Sequence, residues 1–245
     1  MSNESNGSQV FKMHEGGPEI SANPCIGEPP ETVAIVGCGP TMKDWHMGHF
    51  GYACAFPPVD QVWGLNKGLR TQKADLGFVM DDLVGECRRS PEYYEDLKAL
   101  KLPIITSTVD TEVRKLLPNA NLTEYPLREV LLCVGHKVLA ARNQRADDPV
   151  ALEIGKEAGY YLHNSIPYML AYALYCGVKG VQVFGCDYTY PGTDAREDDR
   201  ANAEYWVGLL RGFGVEVKVP TTTTLLNSRK QPYLYGYGAR PPVIQ

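Results

Sequence analysis

The sequence predicts an α/β protein with a Rossmann-like, mainly parallel sheet flanked by helices in a single domain. Short apolar runs typical of buried parallel strands recur along the chain. Segments with a helical pattern separate them, and the first apolar run ends directly in a glycine loop. Alternation of this kind favours a parallel sheet with right-handed crossovers.

Seven runs are predicted as strands. They are Thr32–Val36, Gln61–Leu65, Leu76–Met80, Pro103–Ser107, Asn121–Tyr125, Val181–Phe184 and Val215–Val219. Helices are predicted over Pro91–Leu100, Ser165–Cys176 and Asp199–Gly212, because proline opens the first and one apolar face runs along the second. Val130–Ala141 fits either a helix or a strand followed by a helix. The polar stretch Arg142–Pro149 is interpreted as a loop or part of an irregular lid.

Length and composition fit a soluble globular protein. The chain has 245 residues, of which 44% are hydrophobic and 22% charged. We predict a flexible N-terminal arm over residues 1–30, a nucleotide-binding domain over 31–220 and a C-terminal surface tail over 221–245. No apolar run is long enough to span a bilayer, and the N-terminus lacks a signal-peptide pattern, so we expect a cytoplasmic protein. The sequence is compatible with either a monomer or a homo-oligomer.

Charge and cysteine content narrow the chemistry. The net charge of −5 disfavours broad nucleic-acid binding, since a phosphate backbone binds a basic face. The seven cysteines are odd in number and form no CxxC pair. They are therefore predicted to be buried free thiols in a reducing compartment.

The clearest local pattern is the loop that follows the first strand. It contains Gly37, Gly39, Pro40 and Thr41 around Cys38. Glycines let a backbone approach an anion closely with its N–H groups, and the Thr41 hydroxyl would add a donor. The third glycine of the dinucleotide fingerprint is missing. A nucleotide phosphate or a tight turn without a ligand both fit.

Three polar positions come just after predicted strands. Asn66 follows the second strand, Asp81 and Asp82 follow the third, and Asp187 follows the strand at Val181–Phe184. Ligands in open parallel sheets bind outside the carboxyl ends of strands, so these residues are expected to converge on the glycine loop. Asp81 and Asp82 are candidates for Mg²⁺ or for a ribose. Asp187 is a candidate base, metal ligand or loop-holding carboxylate.

Two further side chains are candidates for this site. His163 lies just before the Ser165–Cys176 segment and is a candidate acid or base, because histidine titrates near neutrality. Tyr188 and Tyr190 follow Asp187 and are candidates to stack on a base or a sugar.

The pattern resembles two related groups of proteins. One contains the bacterial sialyltransferases that act on lipooligosaccharide. The other is the domain of archaeal 6-hydroxymethylpterin diphosphokinase, found also in motility-accessory and phage proteins. Both carry a strand, then Gly-x-Gly-Pro-Ser/Thr, and later a helix, a strand and Gly-x-Asp with an aromatic or apolar residue. Here these are Gly37–Thr41 and Gly185–Tyr188, and the similarity covers about residues 32–219.

The resemblance implies a Rossmann-like fold and a nucleotide donor. The donor is a CMP-sugar in the first group, where an asparagine equivalent to Asn66 contacts it, and ATP with Mg²⁺ in the second. It thus implies glycosyl transfer to an acceptor hydroxyl or, alternatively, a pyrophosphokinase-like reaction. A phage assembly or binding protein without catalysis is a third reading, and a phage-encoded chain would act in the host cytoplasm. The sialyltransferases have a catalytic histidine after Gly-x-Asp, whereas this chain has none after His163.

Overall fold

The computed structural model describes residues 25–49, 56–70, 73–188 and 197–226, with no side chains described for 46–49 and 197–198. The predicted N-terminal arm lies mostly outside this part, as do Tyr190 and most of the predicted tail. Seven strands form one all-parallel sheet in the order β5-β4-β3-β2-β1-β6-β7. They are β1 Thr32–Val36, β2 Gln61–Leu65, β3 Leu76–Val79, β4 Ile104–Thr106, β5 Leu122–Glu124, β6 Gly180–Phe184 and β7 Glu216–Lys218.

Eight α-helices occur in the described residues and cover the two faces of the sheet. They are α1 Met42–His49, α2 Leu83–Arg89, α3 Pro91–Ala99, α4 Thr111–Leu116, α5 Leu127–Ala141, α6 Asp148–Gly159, α7 Ser165–Tyr175 and α8 Glu197–Gly212. A 3₁₀ turn, Asn66–Arg70, follows β2 directly. The predicted fold class, with a parallel sheet flanked by helices, is confirmed.

Alternation along β1 divides the core between the two faces. Val33 and Ile35 pack in the cluster that contains α7 and α8, while Ala34 and Val36 pack toward α1 with Phe184. Tyr172 of α7 lies with its ring 5.6 Å from both Trp63 and Phe78, so α7 covers the centre of the sheet. A separate cluster joins β3, β4 and β5 to α2, α3 and α4. Both faces are apolar, as a doubly wound parallel sheet requires.

The region between β5 and β6 differs most from the sequence prediction. Val130–Ala141 lies in one helix, α5, with no strand, and the predicted lid shrinks to residues 142–147 because α6 begins at Asp148. Asp147 caps α6 by accepting from the Val150 N–H at 3.3 Å. A Cβ on Gly135 of α5 would lie 1.7 Å from the Ala151 carbonyl oxygen, and one on Gly155 would lie 1.9 Å from the Leu131 carbonyl. The two helices therefore pack backbone to backbone.

The cysteine prediction is wrong for one pair. Cys25 and Cys176 form a disulfide with their Cα atoms 5.5 Å apart, 151 residues apart in sequence. The segment before β1 packs at the end of α7, where the Ile26 N–H donates to the Tyr172 hydroxyl at 3.3 Å. Cys38, Cys87, Cys133 and Cys186 are free thiols, of which Cys87 and Cys186 are buried as predicted and Cys38 is exposed; Cys54 lies outside the described residues.

Candidate active site

The candidate site lies where the winding direction of the sheet reverses. The chain runs from β1 outward through β2 to β5 and then returns to place β6 on the other side of β1. In open α/β sheets ligands bind in a crevice at such a switch point, outside the carboxyl ends of the strands. The structure brings the glycine loop, Asn66, Asp81 and Asp187 to this edge.

The glycine loop after β1 interlocks with the loop after β6. The Gly37 N–H donates to the Phe184 carbonyl at 2.8 Å, and the Gly39 N–H donates to the Gly185 carbonyl at 2.7 Å. A Cβ on Gly37 would lie 2.4 Å from the Gly185 oxygen, and one on Gly39 would lie 2.8 Å from Asp187 Oδ2. Gly185 itself has a φ of 65°, which favours glycine. Close approach of two backbones thus accounts for these glycines.

Asp187 fastens the two loops together. Its Oδ2 accepts from the Thr41 N–H at 2.8 Å and from the Thr41 hydroxyl at 2.9 Å. The same hydroxyl accepts from the Gly185 N–H at 2.8 Å. Asp187 is 3% exposed, and its Oδ1 has no hydrogen-bond partner among the described residues. Of the three roles weighed for Asp187, these contacts describe the one that holds a loop.

The loop therefore offers an anion fewer donors than its glycines suggest. The N–H groups of Gly37, Gly39 and Thr41 already donate to protein acceptors, and Pro40 has none. The Cys38 N–H has no acceptor in the described part of the chain. Lys67 lies close enough for its charge to act on the Cys38 thiol. The cation near the loop is a residue that the sequence analysis did not select.

The pKa of the Cys38 thiol reflects the groups around it at the carboxyl end of β1. Burial of the thiol group raises the pKa of Cys38, while the Gly68 N–H and the Lys67 charge act in the opposite direction. The thiol donates to the Leu65 carbonyl at 3.6 Å. Deeper in the same edge, burial and the charge of Asp187 raise the pKa of Cys186. Both thiols are therefore neutral at physiological pH, and neither adds negative charge to the crevice.

Asn66 is held at the end of β2 by the carboxylate that follows β3. Its Nδ2 donates to Asp81 Oδ2 at 2.7 Å, and its backbone has a φ of 45°. Its Oδ1 is buried and has no partner in the described residues. Buried polar atoms without a hydrogen-bond partner are rare in native proteins, so this oxygen has unused hydrogen-bonding capacity. Asp81 thus fixes the amide through its nitrogen, and the amide oxygen is a buried acceptor that no described residue uses.

The two aspartates after β3 are both exposed but make different contacts. Asp81 accepts from Asn66, whereas Asp82 caps α2 by accepting from the Gly85 N–H at 3.1 Å. In the described parts of the chain no three His, Cys, Asp or Glu side chains are grouped to hold a metal ion.

His163 and Tyr188 are placed by one asparagine. The Tyr188 hydroxyl donates to Asn164 Oδ1 at 2.9 Å, and Asn164 Nδ2 donates to the Asp199 carbonyl at 3.0 Å. The Tyr188 ring packs in the main core and is 8% exposed, so a stacking face is not open there. His163 is exposed and immediately precedes Asn164, the N-cap of α7. It thus lies at the carboxyl edge of the sheet.

The segment after β7 lies over the interlocked loops. The Thr224 hydroxyl donates to the Asp187 carbonyl, and the Thr222 hydroxyl donates to Asp44 Oδ2 at 2.5 Å. Thr223 and Leu225 are 4% and 1% exposed, so residues 221–226 pack into the domain. The sequence analysis placed these residues at the start of the C-terminal surface tail and not among the candidate site residues.

Among known proteins, similarity to this chain is found in solved structures and not in protein-family models or curated sequences. No protein-family model and no curated protein sequence matches the chain. The sialyltransferase CstII from Campylobacter jejuni in complex with a substrate analogue, CMP-3FNeuAc, is 16% identical, with a TM-score of 0.45 over 80% of this chain and 83% of that chain. The same enzyme in complex with a substrate analogue, cytidine-5'-monophosphate, is 16% identical, with a TM-score of 0.44 over 80% of this chain and 82% of that chain. A point mutant of the α-2,3/8-sialyltransferase CstII is 14% identical, with a TM-score of 0.47 over 80% of this chain and 84% of that chain.

The chain is thus a doubly wound, all-parallel α/β protein with a candidate site at its switch point. None of the helices in the described ranges combines the length and apolarity that a membrane crossing requires.

Proposed function

We propose that this chain is a nucleotide-dependent transferase that moves a glycosyl group from a nucleotide-sugar to an acceptor hydroxyl. The observation that carries the proposal is the Asn66 carboxamide at the carboxyl end of β2. Asp81 holds its Nδ2, and its buried Oδ1 has no partner in the described residues. An acceptor fixed in this way suits a ligand group that donates hydrogen bonds, such as a ribose hydroxyl or an exocyclic amine of a base.

The donor phosphate would lie beside Asn66, at the Cys38 end of the glycine loop. The Cys38 N–H and the Lys67 ammonium are the positive groups there, since the other loop amides already donate within the protein. A single amide and one cation suit a nucleoside phosphate leaving group, whose charge increases as the glycosyl bond breaks. Asn66, Cys38 and Lys67 would therefore hold nucleoside and phosphate together.

His163 is better suited than Asp187 to act as the general base. The Asp187 carboxylate accepts two hydrogen bonds from Thr41 and is 3% exposed, whereas the His163 side chain is exposed at the same edge. In the proposed step the imidazole takes the acceptor hydroxyl proton and the acceptor oxygen bonds to the sugar carbon. The bond from that carbon to the phosphate oxygen breaks, and its electron pair leaves with the nucleoside phosphate. Positioning and electrostatic stabilisation supply the rate enhancement.

Dependence on Mg²⁺ distinguishes this proposal from the alternative reaction. Asp81 and Asp82 are exposed carboxylates at the edge of β3, which is the feature that favours the ATP- and Mg²⁺-dependent pyrophosphokinase alternative. If that alternative holds, ATP binding requires Mg²⁺ and is lost in Asp81→Asn.

The experiment is a thermal-shift panel of CMP, UDP, GDP, ADP and ATP, with and without Mg²⁺. A nucleotide at 100 times its Kd stabilises a protein by about 2.7 kcal/mol, or about 5–11 °C for a domain of this size. We expect a metal-independent shift with a pyrimidine nucleotide, abolished by Asn66→Ala. Asn119→Ala is the matched control, because Asn119 is exposed at the opposite, amino end of the sheet ahead of β5. A panel in which no nucleotide shifts the wild-type protein would refute the proposal.

A further inference from the structure

A cleft of about 410 Å³ opens between the start of α2 and the loop that follows β4. One wall is formed by Asp82, Gly85 and Arg88, and the other by Ser107, Thr108 and Glu112. The volume falls within the range of about 300–1,000 Å³ typical of small-ligand sites. Nothing described so far occupies this cleft or uses its hydroxyl groups.

The cleft adjoins the proposed donor site. β3 and β4 are parallel neighbours, so the residues that follow them lie at the same edge of the sheet. Asp82 lines the cleft and directly follows Asp81, whose carboxylate holds Asn66 at 2.7 Å. A ligand in the cleft would therefore lie beside the nucleoside end of a donor bound at Asn66, whereas His163 lies near β6, three strands along the sheet from β3.

The walls carry hydrogen-bonding groups that the protein does not use. Ser107 and Thr108 are exposed, and neither hydroxyl has a hydrogen-bond partner in the described residues. Val84 and Val113 contribute aliphatic surface to the same walls. Hydroxyls beside aliphatic carbon complement a sugar, which presents hydroxyl groups around a C–H face.

The charge of the cleft restricts the ligand further. Its lining contains three carboxylates, Asp82, Asp110 and Glu112, against one guanidinium, Arg88. Arg88 already pairs with Glu112 across the opening. The lining thus keeps an excess of negative charge that opposes an anionic ligand.

We propose that this cleft binds one sugar unit of an extended acceptor and that this unit is uncharged and bears hydroxyl groups. The inference rests on the proposed glycosyl transfer and adds to it a second binding site and a charge selectivity. A uronic acid or a sugar phosphate is excluded by the carboxylates.

Saturation-transfer NMR with matched sugar pairs tests the inference. The probes are the methyl glycosides of glucose and galactose and their uronides, which differ from them by a carboxylate, each with and without CMP. We expect signal transfer to at least one neutral glycoside and none to its uronide. Thr108→Trp fills the cleft and removes the signal, whereas Asn119→Trp, at an exposed position on the opposite edge, keeps it. Glu112→Lys removes the excess negative charge, and we expect it to admit the uronide.

Each outcome decides between the two proposals. A neutral-glycoside signal that survives Thr108→Trp, a uronide that binds the wild-type protein equally well, or no glycoside signal at all overturns the inference. If CMP binding depends on Asn66 in the same samples, the inference alone has failed. If a glycoside binds in the cleft and no nucleotide binds anywhere, the proposed function has failed and the acceptor role fails with it. Circular dichroism and the unfolding temperature confirm that each variant is folded.

Discussion

Replacement of Thr41 by valine tests whether the interlocked loops hold the candidate site together. Valine matches threonine in shape but lacks the hydroxyl, so the change leaves little new space. The Thr41 hydroxyl donates to Asp187 Oδ2 at 2.9 Å and accepts from the Gly185 N–H at 2.8 Å. Both contacts are buried. Thr41→Val removes both and leaves the Gly185 N–H without an acceptor.

The expected loss follows from these two contacts. A hydrogen bond to a charged group contributes about 1.5–3 kcal/mol, and an unsatisfied buried donor costs about 1–3 kcal/mol. The Thr41 N–H still donates to Asp187 at 2.8 Å, which limits the damage to the carboxylate. We expect Thr41→Val to lower the free energy of unfolding by about 3 kcal/mol, equivalent to about 6–12 °C in Tm.

Urea unfolding followed by circular dichroism measures the effect, with Thr41→Ser as the control. Serine keeps the hydroxyl and deletes one methyl group, for which we expect a loss of about 1 kcal/mol. If valine and serine destabilise equally, or if valine costs less than about 1 kcal/mol, the hydroxyl does not join the loops and the reasoning is refuted.

Two further variants test the base and an acid-sensitive contact. His163→Ala is expected to lower the rate of nucleotide release from the donor sugar by about 10²–10⁴-fold without changing nucleotide affinity. His136→Ala is the control and should leave this rate unchanged. Equal rates in the wild type and in His163→Ala would show that His163 is not the base. The pKa of Asp60 is lowered because the N–H and then the hydroxyl of Thr32 donate to it. Its stabilisation is therefore present above the unfolded pKa and lost as pH falls through the folded pKa, so Asp60→Ala should destabilise at pH 7 and progressively less as the pH falls below about 4. A difference in urea midpoint that does not shrink with falling pH would contradict this.

The sheet could be predicted from sequence because its inner strands are short apolar runs that are buried over most of their length, whereas the edge strands β5 and β7 are partly exposed. All seven predicted strands overlap strands of the structure, with ends that differ by no more than two residues. Such runs need no knowledge of their neighbours, since both faces of a parallel strand are buried. The placement of polar residues after the strands was predictable for the same reason.

The helix α6 was missed, and its buried face is formed by small residues. Its buried positions are Ala151, Gly155 and Ala158, and it packs on α5 by backbone approach. This close approach depends on the facing residues of α5, so it cannot be recognised from the α6 segment alone. α2 and α4 are seven and six residues long, which leaves too few turns for a period to be recognised.

The roles of site residues were harder to predict than their positions. An aspartate after a strand suits a metal, a ligand or a helix cap equally well, and Asp82 proves to be a cap. The glycines suggested a phosphate cradle, yet their amides donate to a loop about 146 residues later in the chain. Such a contact has no signature in either segment alone. Lys67 was overlooked because the 3₁₀ turn that places it near Cys38 follows β2 without a break.

The interlock between the loops after β1 and β6 also bears on how the chain matures during synthesis. Strands β1 to β5 pair in sequence order, so they can assemble as soon as they leave the ribosome. Until β6 emerges, β1 is an open edge whose backbone groups can pair with another chain. The strand that closes this edge also carries Gly185 and Asp187 to the glycine loop. The pairing of β6 with β1 therefore covers the open edge and completes the candidate site in the same late step. A nascent chain that stalls before residue 180 keeps an open edge at β1 and has no complete site.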